Sequence, residues 1–142
     1  MDTYRSKADG DADRGQQQQL LTALNAWERA LRRDECGAWT ISGRHGSIHT
    51  WGDGKRWVAY ANPQSTVDPD GSPRAWNSAK RTLAFLTVTQ DGDVDGCFHI
   101  EQLPTPEEAT LIRETLGIRK RMEVSPETIE RLARTGFRPA AN

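Results

Sequence analysis

Basic side chains that lie close to tryptophans are the residues of this sequence best suited to binding chemistry. Arg44 lies in a glycine-rich turn, and Lys55 and Arg56 directly precede Trp57. Cationic side chains contact phosphates, while flat rings stack on bases or pack on sugars. The pattern predicts a nucleic-acid-binding surface in two parts, the first formed by Arg44, Lys55, Arg56, Arg74, Lys80 and Arg81, and the second by Arg119, Lys120 and Arg121.

An acidic string with calcium-loop spacing runs from Asp91 to Gly96. It resembles the first half of an EF-hand loop, because Asp91, Asp93 and Asp95 offer carboxylates at positions one, three and five and Gly96 supplies the turn glycine. The twelfth position, where that loop requires a bidentate acid, is Gln102. We therefore interpret the string as an acidic hairpin turn and keep a calcium site as the alternative.

Side chains of the zinc-binding type occur in two pairs. Cys97 and His99 are two residues apart on a predicted strand and project from one face, while His45 and His49 fall on a predicted hairpin. An alternating strand with Phe98 pointing inward explains the second pair without a metal. We expect no metal or other cofactor, with zinc as the alternative.

The sequence contains no pattern that points to catalysis. Neither a Gly-x-Ser-x-Gly nucleophile turn nor a Gly-x-x-x-x-Gly-Lys-Ser/Thr phosphate loop occurs in it. The adjacent Glu107 and Glu108 belong to the first turn of a predicted helix, where acids favour the positive end of the helix dipole. We therefore expect a protein that is not an enzyme.

The elements that would position these residues can be read from periodicity and capping. Leu20, Leu24, Trp27 and Leu31 recur at helical spacing and predict a helix over residues 16–34. Three alternating runs around residues 39–41, 48–51 and 57–61 predict an antiparallel meander with an Asp53-Gly54 hairpin turn. If Ile48 and Thr50 face inward, Trp51 faces outward, where an exposed tryptophan marks an interface.

The second half of the chain repeats this alternation of strands and helices. Ser72-Pro73 starts a predicted helix over residues 73–82, and residues 85–89 and 97–100 predict two further strands. A capping box at Thr105 begins a helix that Gly117 ends, and Ser125-Pro126 begins another that Gly136 ends. These two helices form a helical C-terminal segment at about residues 104–136.

Together these elements predict one α+β domain. A mostly antiparallel sheet of about five strands, a three-stranded meander plus a hairpin, would be packed by helices over residues 16–142, after a disordered tail at residues 1–15. The order helix, meander, helix over about residues 16–83 resembles that of double-stranded-RNA-binding domains, and a meander plus helix resembles integrase-type DNA-binding domains. The resemblance implies a nucleic-acid ligand.

Composition limits the functional classes. The chain has 142 residues, a formal net charge of -1 and two cysteines, so neither a strongly basic domain nor a disulfide scaffold is present. No apolar run is long enough to span a bilayer, and we expect a small soluble cytoplasmic protein. Our prediction is a nucleic-acid-binding or regulatory accessory protein, with a protein–protein interaction module as the alternative.

Overall fold

The computed structural model describes residues 6–64, 71–122, 131 and 133. It contains three helices, one short 3-10 turn and six strands. In chain order they are α1 (Lys7–Ala23), the 3-10 turn (Glu28–Ala30), β1 (Leu31–Arg33), β2 (Trp39–Gly43), β3 (Gly46–Thr50), β4 (Trp57–Ala61), α2 (Pro73–Thr82), β5 (Thr87–Asp91), β6 (Gly96–Ile100) and α3 (Pro106–Leu116).

All six strands form one antiparallel sheet in the order β1-β2-β3-β4-β6-β5. The predicted α+β class is thus confirmed, with one strand more than expected. The helix–meander–helix order is present, but the meander continues on one side into β1 and on the other into β6 and β5. None of the helices in the described residues is long and apolar enough to cross a membrane.

Strand register divides the sheet into an inner and an outer face. Ile41, Ile48, Ala59 and Phe98 lie across from one another on neighbouring strands and are fully or almost fully buried, which defines the inner face. The alternate residues, including His49, Val58 and His99, define the outer face.

The helices pack on the inner face. Leu20 of α1, Leu24 directly after it, and Ile112 and Leu116 of α3 join the inner-face residues in one core. From α2, the Trp76 ring meets the Phe98 ring edge-on at a centroid distance of 5.3 Å. Gly96 lets this indole approach the sheet, because a Cβ at Gly96 would lie 2.3 Å from a Trp76 ring atom.

Helix α1 begins earlier than the sequence predicts. Ser6 caps it by accepting a hydrogen bond from the Asp9 amide at 3.2 Å, and residues 7–15, expected in a disordered tail, are helical. The prediction was wrong there because this segment has tertiary partners: the Thr50 hydroxyl donates to Asp13, and the Arg14 guanidinium lies 4.8 Å from the centre of the Trp39 ring. Residues 1–5 of that predicted tail lie outside the described residues.

The same helix also ends earlier than predicted. It stops at Ala23 rather than continuing to about residue 34, and Asn25 adopts a left-handed conformation with φ of 51°. Asparagine tolerates this conformation better than most residues. The chain then turns and forms β1, in which Leu31 pairs with Ile41. Tertiary pairing with β2 thus outweighs the helical spacing of Trp27 and Leu31.

The elements with strong local signals agree with their predictions. Helix α2 has the predicted bounds, and α3 has the predicted capping box, with Gly117 in the left-handed position at its end. The strand predicted at residues 85–89 forms two residues later, with a β-bulge between Val88 and Gln90. Apart from residues 131 and 133, the helix predicted from Ser125 to Gly136 lies outside the described residues.

Candidate nucleic-acid interface

A cleft of about 200 Å³ lined by four arginines opens beside the β1–β2 edge of the sheet. We call it the arginine cleft and define it by Arg29, Arg32, Arg44, Arg119 and the Trp27 ring. Arg29 lies in the 3-10 turn, Arg32 on β1, Arg44 in the β2–β3 turn and Arg119 just after α3. No carboxylate lines this cleft among the described residues.

Backbone hydrogen bonds hold the walls of the cleft together. The Trp27 amide donates to the Arg119 carbonyl at 2.7 Å, and the Arg121 amide donates to the Asn25 carbonyl at 2.8 Å. Ala26 and Lys120 form an isolated antiparallel bridge between these two bonds. The segment after α3 is therefore fixed against the chain that leaves α1.

The β2–β3 turn is fixed against the end of α3 in a similar way. The Arg44 amide donates to the Gly117 carbonyl at 3.0 Å, and the His45 amide donates to the Leu116 carbonyl at 2.8 Å. Carbonyls of the last turn of a helix have no partner within the helix, so these bonds satisfy groups that would otherwise need water. They also place Arg44 next to Arg119.

Trp27 organises two of the arginines. The Arg29 guanidinium carbon lies 5.7 Å from the centre of the Trp27 ring, and that of Arg119 lies 5.1 Å from it. Cation–π attraction to an indole restricts a guanidinium without using its N–H donors in a salt bridge. Both groups can therefore donate hydrogen bonds to a ligand in the cleft.

The four cleft arginines differ from several other predicted cations in their ion pairing. Arg56 is paired with Asp53, Lys80 with Asp91 at 2.9 Å and Arg121 with Glu28 at 3.6 Å. None of the cleft arginines forms a salt bridge with a carboxylate in residues 6–64 or 71–122. The cleft is thus a concentration of uncompensated positive charge in a chain of net charge -1.

The structure groups the predicted cations differently from the sequence interpretation. Arg44 lies with Arg119 and not with Lys55 and Arg56, because β3 separates the two hairpin turns by roughly 13 Å. Arg74, Lys80 and Arg81 lie on α2, which packs on the inner-face side of the sheet. Lys120 is exposed on the segment that pairs with Ala26.

Sequence reasoning did not identify Arg29 and Arg32 as site residues. The helix predicted over residues 16–34 places both near its C-terminal end, where cations favour the helix dipole. The signal that would have found them is Asn25, which lies in the break between α1 and the 3-10 turn. Once the helix ends there, the two arginines fall on a turn and a strand that face the β2–β3 hairpin.

The carboxylates of the acidic hairpin, considered for calcium, are not grouped around one cation position in the part of the chain that the structure describes. The Asp91 carboxylate accepts hydrogen bonds from the Lys80 ammonium at 2.9 Å and the Trp76 indole at 2.8 Å, and the Lys80 bond, followed by the Trp76 bond, holds its pKa below the ordinary value. Asp95 accepts a 2.6 Å bond from the Tyr60 hydroxyl, which with burial raises the pKa of Tyr60 to about 12. Asp91 and Asp95 therefore serve different neighbours, and Asp93 is exposed.

The four side chains considered for zinc are likewise not brought together. His49 and His99 lie on strands separated by β4, His45 lies in the turn against α3, and Cys97 is opposite Tyr60. Burial, followed by the charge of Asp95, raises the pKa of the Cys97 thiol, which disfavours its metal-binding thiolate form. Across residues 6–64 and 71–122, no three His, Cys, Asp or Glu side chains are arranged to hold a metal ion.

No known protein family, curated protein or solved structure matches this chain.

Proposed function

We propose that this protein binds nucleic acid and holds backbone phosphates in the arginine cleft. The observation that supports this most directly is the convergence of four arginines, without a described carboxylate, on one cleft of about 200 Å³. Guanidinium groups present planar forks of N–H donors that match phosphate oxygens two at a time. A phosphate-bearing polymer is therefore the ligand class that this cleft suits best.

The cleft is organised before any ligand arrives. Backbone bonds fix Arg44 and Arg119, and the Trp27 ring restricts Arg29 and Arg119. Side chains that are already restricted lose less conformational entropy on binding, so more of the interaction energy contributes to affinity. Bringing like charges together without a counter-ion opposes folding, and a bound anion removes that repulsion.

The proposed role is binding and not catalysis. We therefore interpret the protein as a regulatory or accessory protein that acts by occupying a nucleic acid. The proposed environment is reducing and cytoplasmic, where free thiols such as Cys36 and Cys97 persist.

The test is fluorescence anisotropy with labelled duplex DNA, duplex RNA and single-stranded DNA across a salt series. Four phosphate contacts predict a slope of log affinity against log salt of about -3.6 on duplex DNA and about -2.8 on a single strand. Between 50 and 200 mM salt, affinity should then fall about 150-fold and about 50-fold, respectively.

A matched pair of variants localises the interface. Arg44→Ala with Arg119→Ala removes two charges from the cleft, and Arg74→Ala with Arg81→Ala removes two exposed charges from α2. The cleft variant should reduce the salt slope by about two and weaken every polymer, whereas the α2 variant should leave the slope unchanged. The proposal would be refuted if no nucleic acid bound at 50 mM salt, or if the affinity did not depend on salt. It would also be refuted if the two variants lost the same affinity while their circular dichroism showed that both were folded.

The alternative function, a protein–protein interaction module, has less support. The apolar residues Leu20, Leu21 and Leu24 of the predicted amphipathic helix are buried in the core, so they offer no surface to a partner protein. Phe85 and Leu103 are exposed apolar side chains that a partner could cover. This alternative becomes the working proposal if no nucleic acid binds at low salt.

A further inference from the structure

The outer face of the sheet carries two exposed aromatic side chains. Trp51 is 47% exposed and Tyr60 is 37% exposed, and both rings project on the side opposite the packed helices. The register meets the condition stated for the sequence, in which Trp51 faces outward if Ile48 and Thr50 face inward. Within the described residues, the contacts of α1, α2 and α3 with the sheet are made at its inner face.

This face is continuous with the arginine cleft. Arg32 and Ser42 project on the outer side of β1 and β2, and both line the cleft. Ser42 is opposite Ser47, which is opposite Tyr60, so the Tyr60 ring lies two strand spacings, about 10 Å, from the cleft wall. Trp51 directly follows the last residue of β3. It lies four residues after Ser47, which corresponds to a distance of roughly 13 Å from Ser47 in the direction of the strand.

Both rings are held in place by neighbours. The Trp51 ring packs on the His99 ring at a centroid distance of 4.8 Å, and the Arg56 guanidinium carbon lies 5.8 Å from its centre. The Tyr60 hydroxyl is fixed by its bond to Asp95. Each ring thus has fixed neighbours and remains partly exposed, so part of its surface is open to a flat ligand.

Positive and negative side chains lie at opposite sides of the outer face. The uncompensated arginines lie at the β1–β2 side, whereas Asp95 and Glu101 lie at the β6 side. Asp34 follows β1, and its carboxylate accepts hydrogen bonds from the Cys36 and Ala38 amides within the turn between β1 and β2. A bound polyanion would therefore keep its phosphates near the cleft and direct uncharged groups across the sheet.

We infer that the protein prefers single-stranded nucleic acid, whose unpaired bases stack on Tyr60 and Trp51 while the phosphates occupy the arginine cleft. A duplex hides the faces of its bases, so only a single strand can use the cleft and the rings together. This inference rests on the proposed function, since the cleft supplies the phosphate contacts. It adds the polymer class and the two stacking residues.

The experiment compares three probes of equal length by anisotropy: a dodecamer of deoxythymidine, an abasic dodecamer with the same phosphates, and the corresponding dA·dT duplex. The thymidine strand should bind more tightly than either of the others. Trp51→Ala should weaken it by about 5- to 150-fold, the usual range for one lost base stack, and should leave the abasic strand unchanged. Trp51→Phe, which retains a ring, should preserve most of the affinity.

A matched control is Phe85→Ala, which removes an aromatic side chain of similar exposure, 39%, that lies in the turn after α2. It should change the affinity for none of the three probes. Thermal melting of each variant establishes that the domain is folded, and Trp51→Phe carries the test if Trp51→Ala does not fold.

The outcomes separate this inference from the function on which it rests. Equal binding of the thymidine and abasic strands, or an equal loss on both in Trp51→Ala, overturns base stacking and leaves phosphate binding in place. If only the Arg44→Ala with Arg119→Ala variant loses affinity, and loses it for all probes, phosphate binding in the cleft is supported and base stacking is overturned. Failure of every probe to bind at 50 mM salt removes both proposals.

Discussion

Replacing Gly117 by alanine should destabilise the fold and displace one wall of the arginine cleft. Gly117 ends α3 with φ of 67°, and a Cβ there would lie 2.8 Å from the Arg44 Cβ and 3.1 Å from the Arg44 amide nitrogen. Contacts between carbon atoms are favourable only beyond about 3.5 Å. The β2–β3 turn must therefore move away from the end of α3.

The size of the effect follows from two contributions. Alanine in the left-handed conformation costs about 1–2 kcal/mol. Movement of the turn also weakens the bonds from the Arg44 and His45 amides, which are 3.0 and 2.8 Å long. Each such bond contributes about 0.5–1.5 kcal/mol, so the displaced turn adds about 1–3 kcal/mol.

Gly54→Ala provides the matched control. Gly54 also has a left-handed backbone, with φ of 78°, but no atom lies within 4 Å of the position of its Cβ. It should therefore lose only the contribution from backbone strain, about 1–2 kcal/mol. Both variants avoid any change of charge.

Urea denaturation followed by tryptophan fluorescence measures both losses. We expect the free energy of unfolding to fall by about 1–3 kcal/mol more in Gly117→Ala than in Gly54→Ala, because only the former disturbs the two hydrogen bonds. The phosphate affinity should also fall only in Gly117→Ala, since Arg44 moves with the turn. Equal losses of stability in the two variants would show that the turn does not rest on the end of α3.

Two further predictions concern the other helices. The pKa of Asp91 is lowered in the folded protein, so its carboxylate stabilises the fold above the ordinary aspartate pKa of about 3.9, and this contribution is lost as the pH falls through the folded value. The melting temperature of Asp91→Asn should therefore lie below that of the wild type at pH 7 and approach it below about pH 4; a constant difference would contradict the ion pair with Lys80. Thr105→Ala should cost about 1 kcal/mol in urea denaturation because it removes the α3 cap, whereas Thr105→Ser should cost little, and equal costs would argue against capping by the hydroxyl.

The parts of the fold that the sequence predicted correctly depend on neighbours close in the chain. The Thr105 capping box and Gly117 fix both ends of α3, and Ser72-Pro73 fixes the start of α2. The Asp53-Gly54 pair likewise lies in the connection between β3 and β4, with Asp53 accepting bonds from the Lys55 and Arg56 amides, although this connection spans residues 51–56 and is longer than the tight two-residue turn that the pair predicts. Each signal acts within a few residues, so no knowledge of tertiary structure was needed.

The parts that were missed depend on distant partners. Helix α1 is anchored by the buried amide of Gln17, which donates to the Trp39 and Ile48 carbonyls, each at 3.0 Å. A run of glutamines predicts no such role, because the acceptors lie more than twenty residues away. The pairing of β1 with β2 also depends on residues that are not adjacent in the sequence. Because this pairing was not predicted, Arg32 was not predicted as a residue of the candidate site.

The bridge between Ala26 and Lys120 also determines when the cleft can exist. It joins positions more than ninety residues apart, so the loop it closes contains all six strands of the sheet. Contacts of such large sequence separation form late, because the entropy of closing the loop must be offset by structure already in place. A growing chain that has not yet reached residue 119 lacks one wall of the cleft, so phosphate affinity would be acquired only once synthesis and folding of the sheet are complete.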